Sequence, residues 1–359
     1  MKIMFDCRYV RTDRHDGISR YSLELVTALA KLHPVTMLIH DAHQLEVLPS
    51  LPFEQISSPT SVREPFVARQ VRRFHPDVVV SPMQTMGSIG RSYGLVLTIH
   101  DLIYYVNRTP PRQFAWPLRL LWRLYHLSYA PQRLLLRGAD QVATISRTTR
   151  ELMRRNRLTR RPIPIVTNAP DERFRRAVPG QPPERRSLVY MGSFMPYKNV
   201  ETIARALHEL DGWVLHLCSR ADEATLERLR ALAPDGSIVA HQGVSDTEYL
   251  SLLAETTALV TVSRNEGFGL PVIEGMAAGV PVICSDIPVF REIGADAAVF
   301  VDPDSPSALA RAAHELEDDA VWEARARAGI ARAADFTWEA SAQSLLEACR
   351  SVHEVRSRP

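Results

Sequence analysis

Two carboxylates eight positions apart, Glu266 and Glu274, bracket a glycine-spaced loop in the run Ser263-Arg-Asn-Glu-Gly-Phe-Gly-Leu-Pro-Val-Ile-Glu-Gly-Met-Ala-Ala-Gly279. An apolar run from Ala258 to Val262 predicts a strand entering the loop, and a helix is expected to open near Leu270. Pro271 suits the first turn of that helix, where a missing N–H costs nothing. Gly279 then closes it before the next strand, Val280 to Ser285. The loop therefore offers backbone amides and the positive end of a helix beside two fixed hydrogen-bond acceptors. Glycines at such a turn commonly serve packing alone, and a first-turn glutamate commonly offsets the dipole. Glu266, however, precedes the helix and gains little from its dipole. The joint pattern points to a ligand that is anionic at one point and rich in hydroxyls elsewhere, as a nucleotide-sugar is.

A second stretch, Tyr190-Met-Gly-Ser-Phe-Met-Pro-Tyr-Lys-Asn-Val-Glu201, follows a predicted strand and leads into a helix. Lys198 is one of three lysines against 40 arginines. It is a mobile point charge suited to phosphate oxygens, although an isolated loop lysine is ordinarily just solvated. Near the N-terminus, Asp16-Gly-Ile-Ser-Arg-Tyr21 puts Gly17 before the first helix, where the backbone can approach an anion closely. His100, in Thr98-Ile-His-Asp-Leu102, ends an apolar strand. Its titration near neutrality is the reason to notice it, and such a histidine is more often structural. Asp302-Pro-Asp304 spells a metal-binding aspartate pair but reads as turn chemistry before a helix near Ser305. Gly267-Phe-Gly269 lacks the third small residue of a dinucleotide fingerprint, Val272 standing there, which argues against a dehydrogenase.

The run around Glu266 and Glu274 resembles the glutamate–x7–glutamate signature of family-four glycosyltransferases, which are retaining enzymes of the GT-B fold. The likeness extends along nearly the whole chain, to Phe336-Thr-Trp-Glu339 at the opening of the last helix. It implies a catalytic set of His100, Lys198 and Glu266. It also implies a donor site of Gly17, Ser193, Lys198, Gly243, Val244, Glu266, Gly267, Phe268, Gly269, Leu270 and Glu274. In that reading Lys198 meets the diphosphate, Glu266 the sugar hydroxyls, Glu274 the ribose and His100 the transferred sugar. Many members carry arginine where this chain has Ser193, and Arg264 and Arg147 are the candidate substitutes. Ser146, Asn168-Ala-Pro-Asp171 and Gly243-Val-Ser-Asp246 match further landmarks, Asp246 reading as a helix cap. The Gly17-to-Tyr21 and Ser193-to-Asn199 runs most resemble bacterial mannosyltransferases of surface polysaccharide or glycolipid synthesis. The resemblance therefore favours GDP-mannose as donor substrate, with a UDP-sugar as the alternative, a glycan or lipid-linked acceptor, and neither cofactor nor metal. A non-catalytic glycan-binding partner and a sugar-nucleotide epimerase on the same fold are the other classes. Intact Lys198, Glu266 and Glu274 argue against the first, and the lack of an evident base set against the second.

These residues need a scaffold, and 359 residues exceed one comfortable core. Short apolar runs alternate with helical segments throughout, as in parallel sheets buried on both faces. Strands are expected at 3–9, 35–40, 77–81, 95–100, 141–146 and 163–168, then at 187–192, 213–218, 237–242, 258–262, 280–285 and 298–301. Helices are expected at 18–32, 62–74 and 113–137, then near 200–210, 222–232, 246–255, 270–278 and 307–333, with the last from Trp338 to Val355. The proline-rich segment 171–186 reads as a linker. The expected organisation is α/β: two doubly wound, Rossmann-like domains facing across a cleft. Residues 1–170 form the acceptor domain and 187–335 the donor domain, and 336–359 form a final helix crossing back to the first.

Composition bounds the partners. Residues 1–170 carry a charge balance of +12 and 171–359 one of −10, for a net +2. Arg147, Arg150, Arg154, Arg155, Arg157, Arg160 and Arg161 crowd 15 positions, and Trp116, Arg119, Leu120, Trp122, Arg123 and Tyr125 precede them. That mixture suits an anionic membrane surface, and equally a solvated arginine-rich face. No nucleic-acid-binding motif accompanies it. Four scattered cysteines have neither metal nor disulfide spacing. The start reads as a strand, not a secretion signal, and no apolar run approaches the roughly 20 residues of a membrane span. The expectation is a cytoplasmic protein, peripheral on the inner membrane face if the basic surface meets lipid.

Overall fold

The structure, a computed structural model, describes residues 1–12, 17–110, 115–184 and 186–358, which divide into two units. One comprises 1–168 with 337–359 and the other 169–336. In the first unit the chain runs β1 (Ile3–Asp6), α1 (Gly17–Leu32), β2 (Val35–Ile39), β3 (Phe53–Gln55), α2 (Val67–Val71), β4 (Val78–Ser81) and β5 (Gly94–Ile99). It continues through α3 (Ile103–Val106), α4 (Trp116–Tyr125), α5 (Ala130–Leu136), β6 (Gln141–Thr144) and α6 (Arg147–Arg155). The second unit holds β7 (Ser187–Tyr190), α7 (Val200–Ala206), β8 (Val214–Leu217), α8 (Glu223–Arg230), β9 (Ile238–Ala240), α9 (Asp246–Ala254) and β10 (Ala258–Thr261). There follow α10 (Leu270–Ala277), β11 (Val282–Ser285), α11 (Pro288–Gly294), β12 (Val299–Val301), α12 (Pro306–Glu315) and α13 (Asp319–Ala333), and α14 (Trp338–Ser357) returns to the first unit.

Each unit is built on a six-stranded parallel sheet, ordered β3-β2-β1-β4-β5-β6 in the first and β12-β11-β10-β7-β8-β9 in the second. Both are the doubly wound order whose direction reverses between the first and fourth strands of the unit. The central strands β4, β5, β10 and β11 are buried along their whole length, so apolar residues occupy both faces. β3 had no sequence signal: it is a three-residue edge strand with exposed Phe53. Residues 163–168 form only an isolated bridge, Thr144 to Ile165, because Pro162 and Pro164 supply no N–H to a ladder.

Two expected helices are interrupted. Within 113–137, of which 113 and 114 lie outside the described residues, α4 and α5 are separate, and each carries proline in its first turn. The expected helix 307–333 divides at Asp318, whose carboxylate accepts from the amides of Ala320 and Val321 and starts α13. The segment 171–186, read as linker, lies within the second unit. Phe174 is fully buried there, edge-on to Tyr249 at 5.6 Å, and the Arg176 amide donates to Ala277 O at 2.9 Å.

α14 packs along α1 and behind β5 and buries Leu345, Leu346, Cys349 and Val352. Its approach is close enough that a Cβ on Gly94 would lie 2.4 Å from Val352 Cγ1, so only glycine fits. Asp140 fastens the far end. Its carboxylate accepts from Arg91 Nη1 at 2.5 Å and the Leu95 amide at 2.9 Å, and Arg356 of α14 stands 3.6 Å away. Burial pushes this carboxyl up, but Arg91, the Leu95 amide and Arg356 outweigh burial and hold it below its ordinary range. A depressed carboxyl contributes stability above its unfolded value and loses it as pH falls through the folded one. Asp140→Asn should therefore cost about 1–2 kcal/mol at pH 7, and the deficit should shrink below about pH 4, as read by denaturant unfolding at several pH values.

Candidate active site

In the second unit the strand order reverses between β10 and β7, and the loops leaving the carboxyl ends of those neighbours carry the two sequence-derived stretches. The loop after β7 delivers Lys198 and the loop after β10 delivers Glu266. The Lys198 ammonium donates to Glu266 Oε1 at 2.5 Å. The side chains are 19% and 12% exposed, close to the surface yet largely shielded. The two loops are also joined through backbone, Arg264 N donating to Tyr197 O at 2.8 Å.

Asn199, which the sequence did not single out, locks this arrangement. It adopts a left-handed conformation (φ 57°, ψ 36°) between the turn at Pro196–Lys198 and α7. Its buried amide donates to Val262 O at 3.3 Å and Pro303 O at 2.6 Å, and its carbonyl accepts from Thr202 Oγ1 at 3.0 Å. One side chain thus ties the loops after β7, β10 and β12 together. Asparagine tolerates the left-handed region better than most residues, which is the one signal that could have marked it.

Gly269 caps α10 with φ +100°, and a Cβ there would stand 2.6 Å from the Phe290 ring. Pro271 contributes no N–H and the Val272 amide turns back to Gly269 O at 3.0 Å. The Gly269 and Leu270 amides make no hydrogen bond to a described residue and remain as donors at the helix start. Glu274 is buried one turn into α10, and Phe268 packs edge-on to Phe336 at 5.7 Å. Gly267, just before Phe268 in the loop, is buried.

Ser193 is exposed in the Lys198 loop, and its carbonyl accepts from the Tyr190 hydroxyl at 2.6 Å. Burial, and secondly the Glu266 charge, push that phenol well above its ordinary value, so it remains a donor. Gly243 (φ +101°) and Val244 follow β9, with the Gly243 amide donating to Cys218 O at the end of β8. The cap of α9 is Ser245, not Asp246: Ser245 and Glu248 form a reciprocal capping box, and Asp246 pairs with Arg173 at 2.8 Å. Arg264, a candidate substitute at Ser193, has its guanidinium paired with Asp304 at the surface. Arg147 opens α6 in the first unit. Asp302 and Asp304 form a turn, with the Asp304 amide donating to Asp302 Oδ1 at 2.9 Å. Among the described residues no three His, Cys, Asp or Glu side chains are grouped to hold a metal ion.

Gly17 and His100 belong to the first unit. Gly17 is the first residue of α1, and Asp16 lies outside the described residues. His100 follows β5 with Nε2 2.7 Å from Pro82 O, so Nε2 carries the hydrogen, and its ring meets Tyr21 edge-on at 4.9 Å. His100 and Asp101 line a largely apolar cavity of about 550 Å³, walled by Tyr104, Trp122, Tyr125 and His126.

Comparison with known proteins decides the family. The model described as Glycosyltransferase Family 4 matches residues 15–174, and that of the Glycosyl transferases group 1 matches 171–334. The chain belongs to the family-four glycosyltransferases. It is similar to O-antigen chain mannosyltransferase B of Escherichia coli, at 25% identity over 94% of this chain and 97% of that one. It also resembles GDP-mannose:cellobiosyl-diphosphopolyprenol alpha-mannosyltransferase of Komagataeibacter xylinus, 32% identical over 44% and 41% of the two chains. Among solved structures, HepE of Anabaena in complex with UDP and glucose superposes with a TM-score of 0.72 at 16% identity, covering 98% and 100%. The glycosyltransferase is thus an enzyme of the GT-B fold whose relatives include bacterial mannosyltransferases. No helix among its described residues is long and apolar enough to cross a membrane.

Removing the Asn199 side chain should loosen the Lys198 loop as well as the fold. Asn199→Ala is expected to cost about 1–3 kcal/mol, since it strands the buried Val262 carbonyl and the partly buried Pro303 carbonyl. The measurement is denaturant unfolding, with hydrogen exchange of the Lys198 and Arg264 amides rising relative to the sheet.

Proposed function

We infer that this glycosyltransferase moves mannose from GDP-mannose, with retention of anomeric configuration, to a cell-surface glycan or lipid-linked acceptor. The observation that carries the reading is the Lys198–Glu266 pair at the strand-order reversal, beside the Gly269 and Leu270 amides. A leaving diphosphate gains negative charge as the sugar bond breaks, and a fixed ammonium with aligned amides favours that state over the ground state. Lys198 is assigned to the diphosphate, with the loop amides of Gly267 to Leu270. Glu266, already an acceptor toward Lys198, is assigned to sugar hydroxyls and Glu274 to the ribose. Ser193, Gly243 and Val244 line the nucleotide side. Gly17 and His100 of the first unit are assigned to the donor phosphate and the transferred sugar. The names of the two mannosyltransferase relatives support mannose, and that of the Komagataeibacter protein supports the guanine nucleotide. Retention by same-face substitution is what the resemblance to the retaining family-four enzymes implies.

The test is a thermal-shift comparison of GDP-, UDP- and ADP-sugars. A ligand at about 100 times its Kd stabilises the folded chain by about 2.7 kcal/mol, and GDP-mannose should give the largest rise in Tm. Lys198→Ala should lose that rise while melting normally without ligand. A variant responding as the unsubstituted chain does would remove Lys198 from the diphosphate, and a larger response to UDP-sugars would replace the donor. Glu266→Gln should lower kcat by about 10²–10³, the scale of losing one transition-state contact. Proton NMR of the product should show the donor's anomeric configuration, and an inverted product would refute retention.

A further inference from the structure

In the second unit the loops after β8 and β9 are clasped to each other and to the Lys198 loop. Gly192 N donates to Ser219 Oγ at 3.1 Å, which sets the loop after β8 against the loop after β7. Ala221 N donates to Gln242 Oε1 at 3.2 Å, and Gly243 N to Cys218 O at 3.0 Å. Gln242 and Gly243 both have positive φ, 57° and 101°, so the chain turns sharply as it leaves β9. Arg220 sits at the centre of this clasp. Its Nε donates to Gln242 O at 3.1 Å. Its stem lies on Gly243, where an added Cβ would stand 3.0 Å from Nε and 3.1 Å from Cγ. The side chain is exposed, and its terminal nitrogens, Nη1 and Nη2, make no hydrogen bond or ion pair with a described residue.

Strand order sets what those nitrogens can face. The diphosphate is assigned to the reversal between β7 and β10; β8 and β9 follow β7 on one side, and β11 and β12 follow β10 on the other. On the β12 side the loop is tied down, by Asn199 to Pro303 O and by Arg264 to Asp304. On the other side β9 lies two strand spacings, roughly 10 Å, from β7. Its loop presents glycine backbone beside the unpaired end of Arg220. A nucleoside continuing from the diphosphate along β8 and β9 brings its base, not its phosphates, to that guanidinium.

We propose that Arg220 reads the nucleobase, Nη1 and Nη2 donating to O6 and N7 of guanine, and so determines nucleotide specificity. The assignment rests on the GDP-mannose reading and adds to it the group that selects guanine. Guanine presents two adjacent acceptors, which a forked guanidinium meets with two parallel hydrogen bonds. Adenine sets an amino donor beside N7, so one N–H would face another, and uracil offers the single O4. With Nε already held on Gln242 O, less side-chain freedom is left to lose when the base arrives.

The experiment is calorimetric titration of the full chain with GDP, inosine diphosphate, 7-deaza-GDP, UDP and inorganic pyrophosphate. Inosine diphosphate keeps O6 and N7 but lacks the amino group of guanine, and 7-deaza-GDP keeps the amino group but lacks the N7 acceptor. Arg220→Ala should weaken GDP and inosine diphosphate about five- to hundredfold, the discrimination of one bidentate pair, and leave pyrophosphate unchanged. 7-Deaza-GDP should bind the unsubstituted chain more weakly than GDP and lose less on substitution. Arg220→Lys keeps the charge without the fork, so it should not restore GDP binding. Both variants should melt like the unsubstituted chain, since the side chain is exposed. A loss shared by pyrophosphate and UDP, or repaired by lysine, would make the contact a phosphate one and overturn the proposal, as would unchanged GDP binding. If the unsubstituted chain prefers UDP to GDP, the donor reading falls and this assignment with it. If it prefers GDP and Arg220→Ala keeps that preference, the donor reading stands and the role of Arg220 alone is refuted.

Discussion

Lys198 and Glu266 are 68 residues apart in sequence, and their 2.5 Å contact exists only because β7 and β10 are neighbours. A partly shielded ion pair gains little net stability, since desolvation offsets most of the attraction. Its consequence is positional. Each partner restrains the other, and Asn199 and the Arg264–Tyr197 backbone bond hold the loops from behind. The charge that a leaving diphosphate would need is thereby fixed before any ligand arrives, so the cost of ordering it falls on folding and not on the reaction.

The first unit has the same strand order but fills its reversal point differently. Asp6 and Ser81 end the two strands that flank it, and Arg8 is fully buried there. Its guanidinium bonds Asp6 at 2.8 and 3.0 Å and Glu64 at 2.7 and 2.9 Å, and Ser81 donates to Asp6 at 3.0 Å. Burial raises the Glu64 carboxyl above its ordinary value despite Arg8. This network consumes the crevice as structure. The open space shifts toward β5 and α4, where His100 meets aromatic walls. Identical topology thus yields a polar, amide-lined site in one unit and an apolar one in the other.

What the sequence disclosed follows from the range of the forces involved. Buried central strands such as Val78–Ser81 and Ala258–Thr261 are continuous apolar runs, visible without any partner. Gly269 and Pro271 act within their own turn, so the start of α10 was equally visible. The short edge strand β3 and the short helix α11 derive their stability from neighbours and had no local pattern to read. In the site, the charged ends were legible because few residue types can do their chemistry. Asn199 was not, because its importance lies in carbonyls 63 and 104 residues away. Arg264 looked available for the same reason: nothing local announces Asp304.

The charge balance constrains recognition further. The half of the chain proposed to hold the anionic donor carries −10, and the half with +12 carries the arginine basin. Averaged over distance, the field around the second unit has the wrong sign for a nucleotide. Much of its acidic charge is paired on helix surfaces, as in Arg228–Glu201, Arg230–Glu223, Arg327–Glu323 and Arg332–Asp335. What remains is screened over about 8 Å at physiological ionic strength. On the proposed reading, donor binding is won at contact distance, where a single ammonium and two backbone amides would outweigh a distant negative background. Long-range attraction for anions belongs to the other unit, where six arginines line one basin.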